Sequence, residues 1–323
     1  MNKFSTSFLL KNKHIQTLYS SLFRKPLNLQ MEIETFYLSD GDFIDCYWYK
    51  KPTTESTTPI IVLFHGLEGS YRSPYIEGIM KEASKEEFAS VIMHFRGCSG
   101  KENKFAKAYH SGFTDDAHEW LTYIYNKYSN SKIFCAGYSM GGNMLLKLLS
   151  EKNPSYQITS CVATSVPYLL DISAQTMENG FARIYQYYLL NSLRNSLKKK
   201  FIKHDMSLYI DLKEEDIPNL KTFFKFDDAY TAPVHGFNSA KDYYDKSSSK
   251  YMLKEIEVPT LLIQSIDDPF MTPEVIPQSH NISKYLTLEV SENGGHVGFI
   301  GGTLFKPEYW LEKRVVEYFK KYR

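Results

Sequence analysis

Cysteine is scarce in this sequence, and its few copies are scattered. The four cysteines are Cys46, Cys98, Cys135 and Cys161, and no two of them form a C-x-x-C pair. Three of them lie in or beside apolar runs, where a free cysteine behaves as a small buried hydrophobe. We therefore expect neither a disulfide framework nor a zinc site. A reducing compartment, and with it a cytoplasmic location, is favoured.

The sequence also lacks an excess of charge of either sign. Lys and Arg number 38 against 37 Asp and Glu, which gives a net charge of +1. This balance provides no basic field for a nucleic acid or an anionic membrane, so we expect neither partner. No stretch approaches the roughly 20 apolar residues that a membrane-spanning helix needs. The N-terminal apolar patch Phe8–Leu10 is also too short for a signal peptide.

Apolar content is ordinary and aromatic residues are abundant. Hydrophobic residues make up 43% of the chain and charged residues 23%, so the chain can bury a full core. Aromatic residues reach 15%, with 25 Tyr and 21 Phe, a composition that suits apolar pockets lined by rings. The length of 323 residues fits one large α/β domain, and we predict a single domain over residues 1–323.

Short apolar runs alternate with helix-like segments along most of the chain. The runs are rich in β-branched residues, and their near-continuous apolarity is typical of strands covered on both faces. This alternation predicts a mostly parallel sheet, of roughly eight strands, flanked by helices. The predicted strands are 60–64, 90–95, 133–138, 160–166, 260–265 and 286–290. The predicted helices between them are 75–87, 114–128, 142–152 and 273–279.

Three other segments complete this prediction. Residues 32–38 and 44–50 flank an Asp-Gly pair, which predicts an antiparallel hairpin at one edge of the sheet. Residues 308–322 carry apolar residues at helical spacing and are expected to pack back on the sheet. Between residues 168 and 250 the alternation stops, and the longest helix-like stretch there is 182–201. We predict that this insertion is a helical cap.

The strongest chemical signal is a glycine-flanked serine, in the string Gly137-Tyr138-Ser139-Met140-Gly141-Gly142. It follows a predicted strand directly and precedes a predicted helix. A nucleophile projected from such a sharp turn has a strained backbone, and the residues two before and two after it must be small to avoid collision. The pattern therefore predicts that Ser139 is a nucleophile. The alternative is a glycine turn with an idle serine.

A second motif, His65-Gly66-Leu67-Glu68-Gly69, follows the predicted strand 60–64. An H-G turn in this position presents a backbone N–H to the oxyanion that develops during acyl transfer. The second donor is the N–H of the residue after the nucleophile. We therefore predict an oxyanion hole formed by the N–H groups of Leu67 and Met140. An ordinary turn with an orienting histidine is the alternative interpretation of this motif.

A nucleophilic serine needs a base, and the base needs an orienting carboxylate. His296 follows Gly294-Gly295 after the predicted strand 286–290, and among the nine histidines it alone has both a glycine-rich loop and a late position. Asp267-Asp268-Pro269 follows the predicted strand 260–265. The order Ser, Asp, His is the order expected for an α/β-hydrolase. We favour Asp268 as the acid, with Asp267 as the alternative.

Further motifs at many places in the chain carry a family resemblance. The first half contains Asn12-Lys13-His14-Ile15-Gln16-Thr17, Ser73-Pro74-Tyr75, Phe95-Arg96-Gly97-Cys98-Ser99-Gly100 and Tyr109-His110-Ser111-Gly112. The second half contains Phe226-Asp227-Asp228, Thr231-Ala232-Pro233, His235-Gly236-Phe237, Asp267-Asp268-Pro269-Phe270 and Gly294-Gly295-His296-Val297-Gly298-Phe299. With the serine and His65 motifs, they make the sequence similar to the YheT-like branch of the α/β-hydrolase superfamily, the AB hydrolase 4 family.

The resemblance implies an α/β-hydrolase fold and a serine hydrolase that acts on carboxylic esters through Ser139, Asp268 and His296. It implies no single substrate. Met140 stands where the family often has Leu, which leaves the backbone donor unaffected. The aromatic content and the predicted cap favour a small-molecule ester with a short- or medium-chain acyl group. We expect no metal and no organic cofactor.

Competing interpretations of these residues remain. A thioesterase or an acyltransferase would use the same three side chains, and a catalytically silent binding protein would use the fold alone. His110 and Asp115 form an H-x-x-x-x-D string known from glycerolipid acyltransferases, although a helix cap at Thr114 or Asp115 is the simpler explanation. Asp227, Asp228 and His235 could be taken for a metal site, but hydrogen bonds that anchor the cap are the more natural role.

Overall fold

A computed structural model describes residues 4–152 and 154–323 of the chain. Its main sheet has eight strands in the order β1-β2-β4-β3-β5-β6-β7-β8. The pairs from β4 through β3, β5, β6 and β7 to β8 are parallel, and the edge pair β1–β2 and the pair β2–β4 are antiparallel. The strands are β1 (Glu32–Tyr37), β2 (Phe43–Tyr49), β3 (Ile60–Phe64), β4 (Ala89–Met93), β5 (Ile133–Tyr138), β6 (Ser160–Thr164), β7 (Thr260–Ser265) and β8 (Leu286–Ser291).

Helices cover both faces of this sheet, which confirms the α/β-hydrolase architecture predicted from the sequence. On one face pack α3 (Asp115–Lys127) and α4 (Met140–Ser150), and on the other α2 (Pro74–Lys85) and α10 (Trp310–Lys320). Successive residues of β3 point alternately into the two cores: Val62 belongs to the first and Leu63 to the second. Because Val62 and Leu63 are both fully buried, neither face of the strand is exposed to solvent, and its sequence is continuously apolar.

The segment between β6 and β7 is helical. Its longest helix is α6 (Ala182–Lys203), and in the described part of the chain it contributes no strand to either sheet. Hydrogen bonds join its two ends: Lys250 N–H donates to the Tyr168 carbonyl oxygen at 3.1 Å, and Leu170 N–H donates to Ser248 Oγ at 3.0 Å. The other elements are α5 (Leu170–Met177), α7 (Phe223–Phe226), a π-helical turn (Asp227–Thr231), α8 (Ala232–Val234), α9 (Ala240–Ser247) and 3-10 turns at Met206–Leu208, Glu214–Asn219 and Ser249–Glu255.

Short elements at the chain ends complete the fold. An N-terminal 3-10 turn (Phe8–Leu10) leads into α1 (Lys13–Phe23), where Asn12 Oδ1 accepts the N–H groups of His14 and Ile15. A small antiparallel pair, β9 (Ile300–Gly302) and β10 (Pro307–Tyr309), precedes α10. The residues predicted to be helix over 308–322 therefore begin in a strand. No helix in the described residues is both long and apolar enough to cross a membrane.

One predicted helix was wrong. Residues 273–279 contain only the 3-10 turns Pro273–Val275 and the start of Ser279–Asn281. Pro277 lies inside this stretch, and the residue before a proline is forced out of the helical region. Ile276 accordingly has φ −61° and ψ 126°, an extended conformation that ends the turn.

Candidate active site

Ser139 occupies a strained turn between β5 and α4. Its φ of 54° and ψ of −124° are unusual for a residue with a side chain. The turn is tight: a Cβ atom on Gly137 would lie 2.6 Å from the Gly141 carbonyl oxygen, and one on Gly141 would lie 2.4 Å from that of His65. Only glycine fits at these two positions, which is the steric reason for the glycines in the motif.

The loop after β3 lies beside Ser139. A Cβ atom on Gly66 would lie 3.3 Å from Ser139 Cβ, so the loop backbone is in close contact with the serine. The neighbouring N–H groups of Gly66 and Glu68 are occupied, since they donate to Tyr75 Oη at 3.0 Å and to Tyr109 Oη at 2.9 Å. Within the described residues, the N–H of Leu67 donates to no protein acceptor.

The backbone N–H of Met140, the first residue of α4, resembles the N–H of Leu67 in having no acceptor in the described part of the chain. Within residues 4–152 and 154–323 it has no protein acceptor, whereas Ser139 N–H before it donates to the Thr164 carbonyl oxygen at 2.8 Å. The first N–H groups of a helix lack intrahelical partners and favour negative charge. Among the described residues, Leu67 and Met140 thus each have a backbone N–H without a protein acceptor, and both residues line the same cavity as Ser139.

The serine, the histidine and one aspartate form a continuous chain of hydrogen bonds. His296 Nε2 lies 2.8 Å from Ser139 Oγ, and His296 Nδ1 lies 2.8 Å from Asp268 Oδ2. Asp268 is almost fully buried, and its Oδ1 accepts the N–H of Phe270 at 2.9 Å. The parallel strands explain this meeting, because β5, β7 and β8 end at the same edge of the sheet and each of the three residues follows one of them.

The adjacent aspartate has a different role. Asp267 Oδ1 accepts the N–H of Gly295 at 2.9 Å, and its Oδ2 lies 3.4 Å from Asn293 Nδ2. Asp267 therefore bonds to the loop that carries His296, whereas the carboxylate that faces the imidazole is that of Asp268.

Several residues outside the three-residue chain hold His296. The Phe270 ring stacks on the imidazole, with ring centroids 3.9 Å apart and an interplanar angle of 11°. The N–H of His296 donates to Thr17 Oγ1 at 2.9 Å, and the N–H of Val297 donates to Ser165 Oγ at 3.0 Å. These contacts fix the position and plane of the ring.

The N-terminal helix α1 supports this loop from outside the sheet. Gln16 is fully buried, and its side chain accepts the N–H of Ile300 at 2.7 Å and donates to the Ile300 carbonyl oxygen at 2.9 Å. A Cβ atom on Gly298 would lie 2.3 Å from the Gln16 carbonyl oxygen. Sequence reasoning did not assign a role to Gln16 and Thr17, although both belong to a motif that carries the family resemblance.

A cavity opens from Ser139 and extends beneath the helical insertion. Leu67, Met140 and His296 border it at the serine. Its roof comes from α5, α6, α7, the π-helical turn and α9, and most of this lining is apolar or aromatic. Roof residues on α5 and α6 are Leu170, Ser173, Ala174, Met177, Leu189, Leu193, Ser196, Leu197 and Lys200. Roof residues further along the insertion are Phe223, Phe226, Asp227, Tyr230, Thr231, Tyr243 and Tyr244.

Among the ionisable groups of this lining, one carboxyl and one amine have pKa values that burial shifts toward neutral pH. Burial raises the pKa of Asp227 to about 6, although its carboxylate accepts a hydrogen bond from Tyr244 Oη at 2.7 Å. Burial lowers the pKa of Lys200 to about 8, and its ammonium donates to Asn103 Oδ1 and to the Phe105 carbonyl oxygen. Asp227 thus connects two segments of the insertion, and Lys200 connects α6 to the loop that contains Asn103 and Phe105.

His65 and His110 lie close to the site but bond to backbone groups. His65 is fully buried, its Nε2 accepts the N–H of Phe95 at 3.1 Å, and burial lowers its pKa to about 3. It is therefore neutral and orients the loop. His110 Nδ1 accepts the N–H of Gly112 at 3.1 Å, and its ring packs edge-on against His235.

Thr114 and Asp228 make hydrogen bonds within the protein. Thr114 precedes α3, but its hydroxyl donates to Glu151 at 3.1 Å rather than capping the helix. Asp228 Oδ1 accepts the N–H of Ala240 at 2.8 Å, a bond within the insertion. Over residues 4–152 and 154–323, no three His, Cys, Asp or Glu side chains gather as a metal site would require.

Comparison with known proteins agrees with this architecture. The alpha/beta hydrolase fold family matches residues 59–303. A protein of Escherichia coli that is named as an esterase, YheT, is 39% identical over 99% of this chain and 96% of its own length. The phospholipase ABHD3 of Bos taurus is 27% identical over 90% of this chain and 71% of its own length.

The fold also recurs in solved structures. The Pyrococcus furiosus esterase Pf2001 superposes with a TM-score of 0.58 at 17% sequence identity, covering 92% of this chain and 94% of that one. At this identity the likeness concerns the fold alone. The family match and the identity to YheT over nearly the whole chain are more specific, and they confirm the resemblance inferred from the motifs. The chain belongs to the alpha/beta hydrolase fold family, in its YheT-like branch.

Proposed function

We propose that this chain is a serine hydrolase that cleaves carboxylic esters with short- to medium-chain acyl groups. The observation that carries the proposal is the chain of two 2.8 Å hydrogen bonds from Ser139 Oγ through His296 to Asp268. A hydroxyl becomes nucleophilic when a base can take its proton, and a buried carboxylate keeps that base in the required tautomer. The three side chains meet these requirements.

The reaction follows from this arrangement in two steps. Ser139 Oγ attacks the ester carbonyl carbon while His296 Nε2 accepts its proton, and Asp268 stabilises the imidazolium through Nδ1–H. The tetrahedral intermediate collapses as His296 returns the proton to the departing alcohol, which leaves an acyl-enzyme on Ser139. Water, deprotonated by His296, then hydrolyses the acyl-enzyme and restores the serine.

The oxyanion hole consists of the N–H groups of Leu67 and Met140. Two features support this assignment: both N–H groups lack protein acceptors among the described residues, and the loop backbone at Gly66 lies against Ser139. Donors that are already oriented toward the developing negative charge need no reorganisation during the reaction. Loss of one such donor typically slows turnover by about 10² to 10³.

The cavity supports an apolar acyl group as the part of the substrate that the protein buries. Leucine, methionine and aromatic side chains form most of the lining above Ser139. Residues 168–250, which supply this roof, act as a cap in the proposal. The names of the two relatives, an esterase and a phospholipase, support an ester as the bond that is cleaved.

A fluorophosphonate probe tests the nucleophile directly. Intact mass spectrometry should find one adduct on the wild type and none on Ser139→Ala. Ser207→Ala, which removes an exposed serine of the insertion, should label like the wild type. A folded wild type that takes no adduct would contradict the proposal and favour a catalytically silent binding protein.

A substrate panel then tests the acyl group and the leaving group. We expect kcat/KM on p-nitrophenyl esters to be highest for short and medium acyl chains. Acyl-CoA thioesters of the same chain lengths distinguish an esterase from a thioesterase. Added glycerol, with detection of an acylated glycerol product, distinguishes a hydrolase from an acyltransferase. Higher kcat/KM on the thioesters, or transfer to glycerol faster than hydrolysis, would contradict ester hydrolysis as the main reaction.

A further inference from the structure

Glu68 directly follows the proposed oxyanion donor Leu67, and its backbone is strained. Its φ of 53° lies in the left-handed region, which a residue with a side chain seldom adopts. Two hydrogen bonds with one tyrosine hold this conformation. Glu68 N–H donates to Tyr109 Oη at 2.9 Å, and Tyr109 Oη donates to Glu68 Oε1 at 2.8 Å.

The other carboxylate oxygen of Glu68 bonds to the helical insertion. Glu68 Oε2 accepts a hydrogen bond from Ser192 Oγ at 2.6 Å and another from Ser196 Oγ at 3.2 Å. The two serines are four residues apart on α6, so they lie on the same face of the helix. In the described part of the chain, no Lys, Arg or His pairs with this carboxylate within 4.0 Å.

These bonds make one side chain the link between two parts of the site. Three hydroxyl groups satisfy the carboxylate, and two of them belong to the insertion. Hydrogen bonds to a charged acceptor contribute more than neutral ones, and a carboxylate left without its donors in a cavity is costly. The left-handed backbone at Glu68, and with it the direction of the neighbouring Leu67 N–H, is therefore best held when α6 is seated.

We propose that Glu68 is a positioning residue that couples the seating of α6 to the oxyanion hole. This inference rests on the proposed function, because it concerns the donor Leu67. When α6 is in place, Ser192 and Ser196 fix the Glu68 carboxylate, and the loop presents the Leu67 N–H to the reaction. When α6 lifts, the carboxylate loses two donors and the loop relaxes.

The position of the two serines connects this coupling to the substrate. Leu193 and Leu197, each next to one of the serines, line the cavity above Ser139. An acyl group that packs on these leucines stabilises the seated position of the same helical turn. An acyl chain that fills the cavity is then hydrolysed with a higher kcat, in addition to any gain in binding.

A purely structural anchor would behave differently. If Glu68 only attached α6 to the sheet domain, its removal would lower thermal stability and leave the chemistry of the folded enzyme unchanged. If Glu68 positions the donor, its removal slows acylation of Ser139 with KM nearly constant, because an oxyanion donor acts in the transition state more than in the ground state.

Four variants separate the two roles. Glu68→Ala removes the link, and Glu68→Gln retains an oxygen acceptor of the same length. A double variant, Ser192→Ala with Ser196→Ala, removes the contact from the side of α6 and keeps Glu68 if the first variant fails to fold. Asn195→Ala is the matched control, since Asn195 is exposed on the same helix between the two serines.

The readouts are the rate of inactivation by the fluorophosphonate, kcat and KM on p-nitrophenyl esters of increasing chain length, and thermal unfolding. We expect Glu68→Ala and the double serine variant each to lower the inactivation rate and kcat about 10- to 100-fold, below or near the cost of losing one oxyanion donor. KM should change less than twofold. Glu68→Gln should recover most of the loss, and the rise of kcat with chain length should disappear in both link-breaking variants.

Three results would overturn the inference. A Glu68→Ala enzyme with kcat within twofold of the wild type would show an anchor only. A slow Glu68→Ala with a fast double serine variant would show that Tyr109 alone holds the loop and that α6 is not coupled to it. A wild type that the probe does not label would remove the proposed function itself, and the inference with it, whereas the first two results leave the proposed function intact.

Discussion

Thr17 Oγ1 accepts the backbone N–H of His296 at 2.9 Å, so a helix near the N-terminus supports the proposed catalytic base almost 280 residues later in the chain. The acceptor is the side-chain hydroxyl of Thr17, which valine lacks. Thr17→Val keeps the shape of the side chain and leaves the N–H of His296 without its partner. An unsatisfied buried donor costs about 1–3 kcal/mol.

We therefore expect Thr17→Val to lower the free energy of unfolding by about that amount and to slow labelling of Ser139, since the imidazole loses one of the contacts that fix it. Urea denaturation and the rate of fluorophosphonate inactivation measure the two effects. Thr17→Ser retains the acceptor and should restore both. A Val variant that matches the wild type in both measurements would show that the loop needs no support from α1.

The two adjacent aspartates should differ sharply in their effect on activity. Asp268→Asn places an amide against His296 Nδ1 and favours the wrong tautomer, so we expect kcat to fall by about 10⁴. Asp267→Asn keeps an oxygen that can accept the Gly295 N–H, so kcat should stay within about tenfold of the wild type. Steady-state kinetics on one p-nitrophenyl ester decides the matter. The reverse ranking would make Asp267 the triad acid.

A matched pair of glycine substitutions tests the tight turn at the serine. In Gly141→Ala the new Cβ would lie 2.4 Å from the His65 carbonyl oxygen, and backbone atoms cannot move aside easily. In Gly301→Ala the nearest atom is 3.5 Å away, an ordinary contact. We expect Gly141→Ala to destabilise the fold by about 3 kcal/mol, the upper end of the usual cost of overpacking, and Gly301→Ala by much less. Equal midpoints of urea unfolding for the two variants would contradict this steric argument.

Two buried histidines and the partly buried His235 should make the protein sensitive to acid. Burial lowers the pKa of His65 to about 3, and the pKa values of His94 and His235 to about 4. An unfolded histidine has a pKa of about 6.5, so below that pH the unfolded chain binds protons that the folded chain does not. The contribution of these groups to stability is complete above pH of about 6.5 and is lost progressively down to their folded pKa values.

The variant His235→Gln isolates one such contribution. Glutamine does not titrate, so the decrease in unfolding free energy between pH 7 and pH 4 should be smaller than in the wild type, by no more than about 3 kcal/mol. Urea unfolding at several pH values measures the difference. An unchanged pH dependence would mean that the His235 imidazole is protonated as easily in the folded protein as in the unfolded chain.

The sequence predicted the sheet well because its strands are buried on both faces. Such strands are rich in apolar residues along their whole length, and the runs at 60–64, 133–138 and 260–265 coincide with β3, β5 and β7. The glycines beside Ser139 were equally informative, since a steric requirement admits a single residue type. The helix predicted at residues 273–279 was wrong, and Pro277 within that stretch was the residue that argued against a helix.

Long-range partners could not be predicted in the same way. Asp267 and Asp268 are identical in type and adjacent in sequence, and only the backbone directions after β7 decide which carboxylate faces His296. The bonds from Thr17 to His296 and from Glu68 to Ser192 join residues far apart in the chain. Threonine, serine and glutamate are common on protein surfaces, so nothing in their identity indicates such partners.

The hydrogen bonds that join Tyr168 to Lys250 and Leu170 to Ser248 give the helical insertion a narrow neck. The two ends of the insertion meet beside β6 and β7, which pair directly as parallel neighbours, so the sheet is continuous across it. A segment whose ends are already held together can change in length at little further cost in chain entropy. The neck thus keeps the pairing of β6 with β7 independent of the number of residues beyond it.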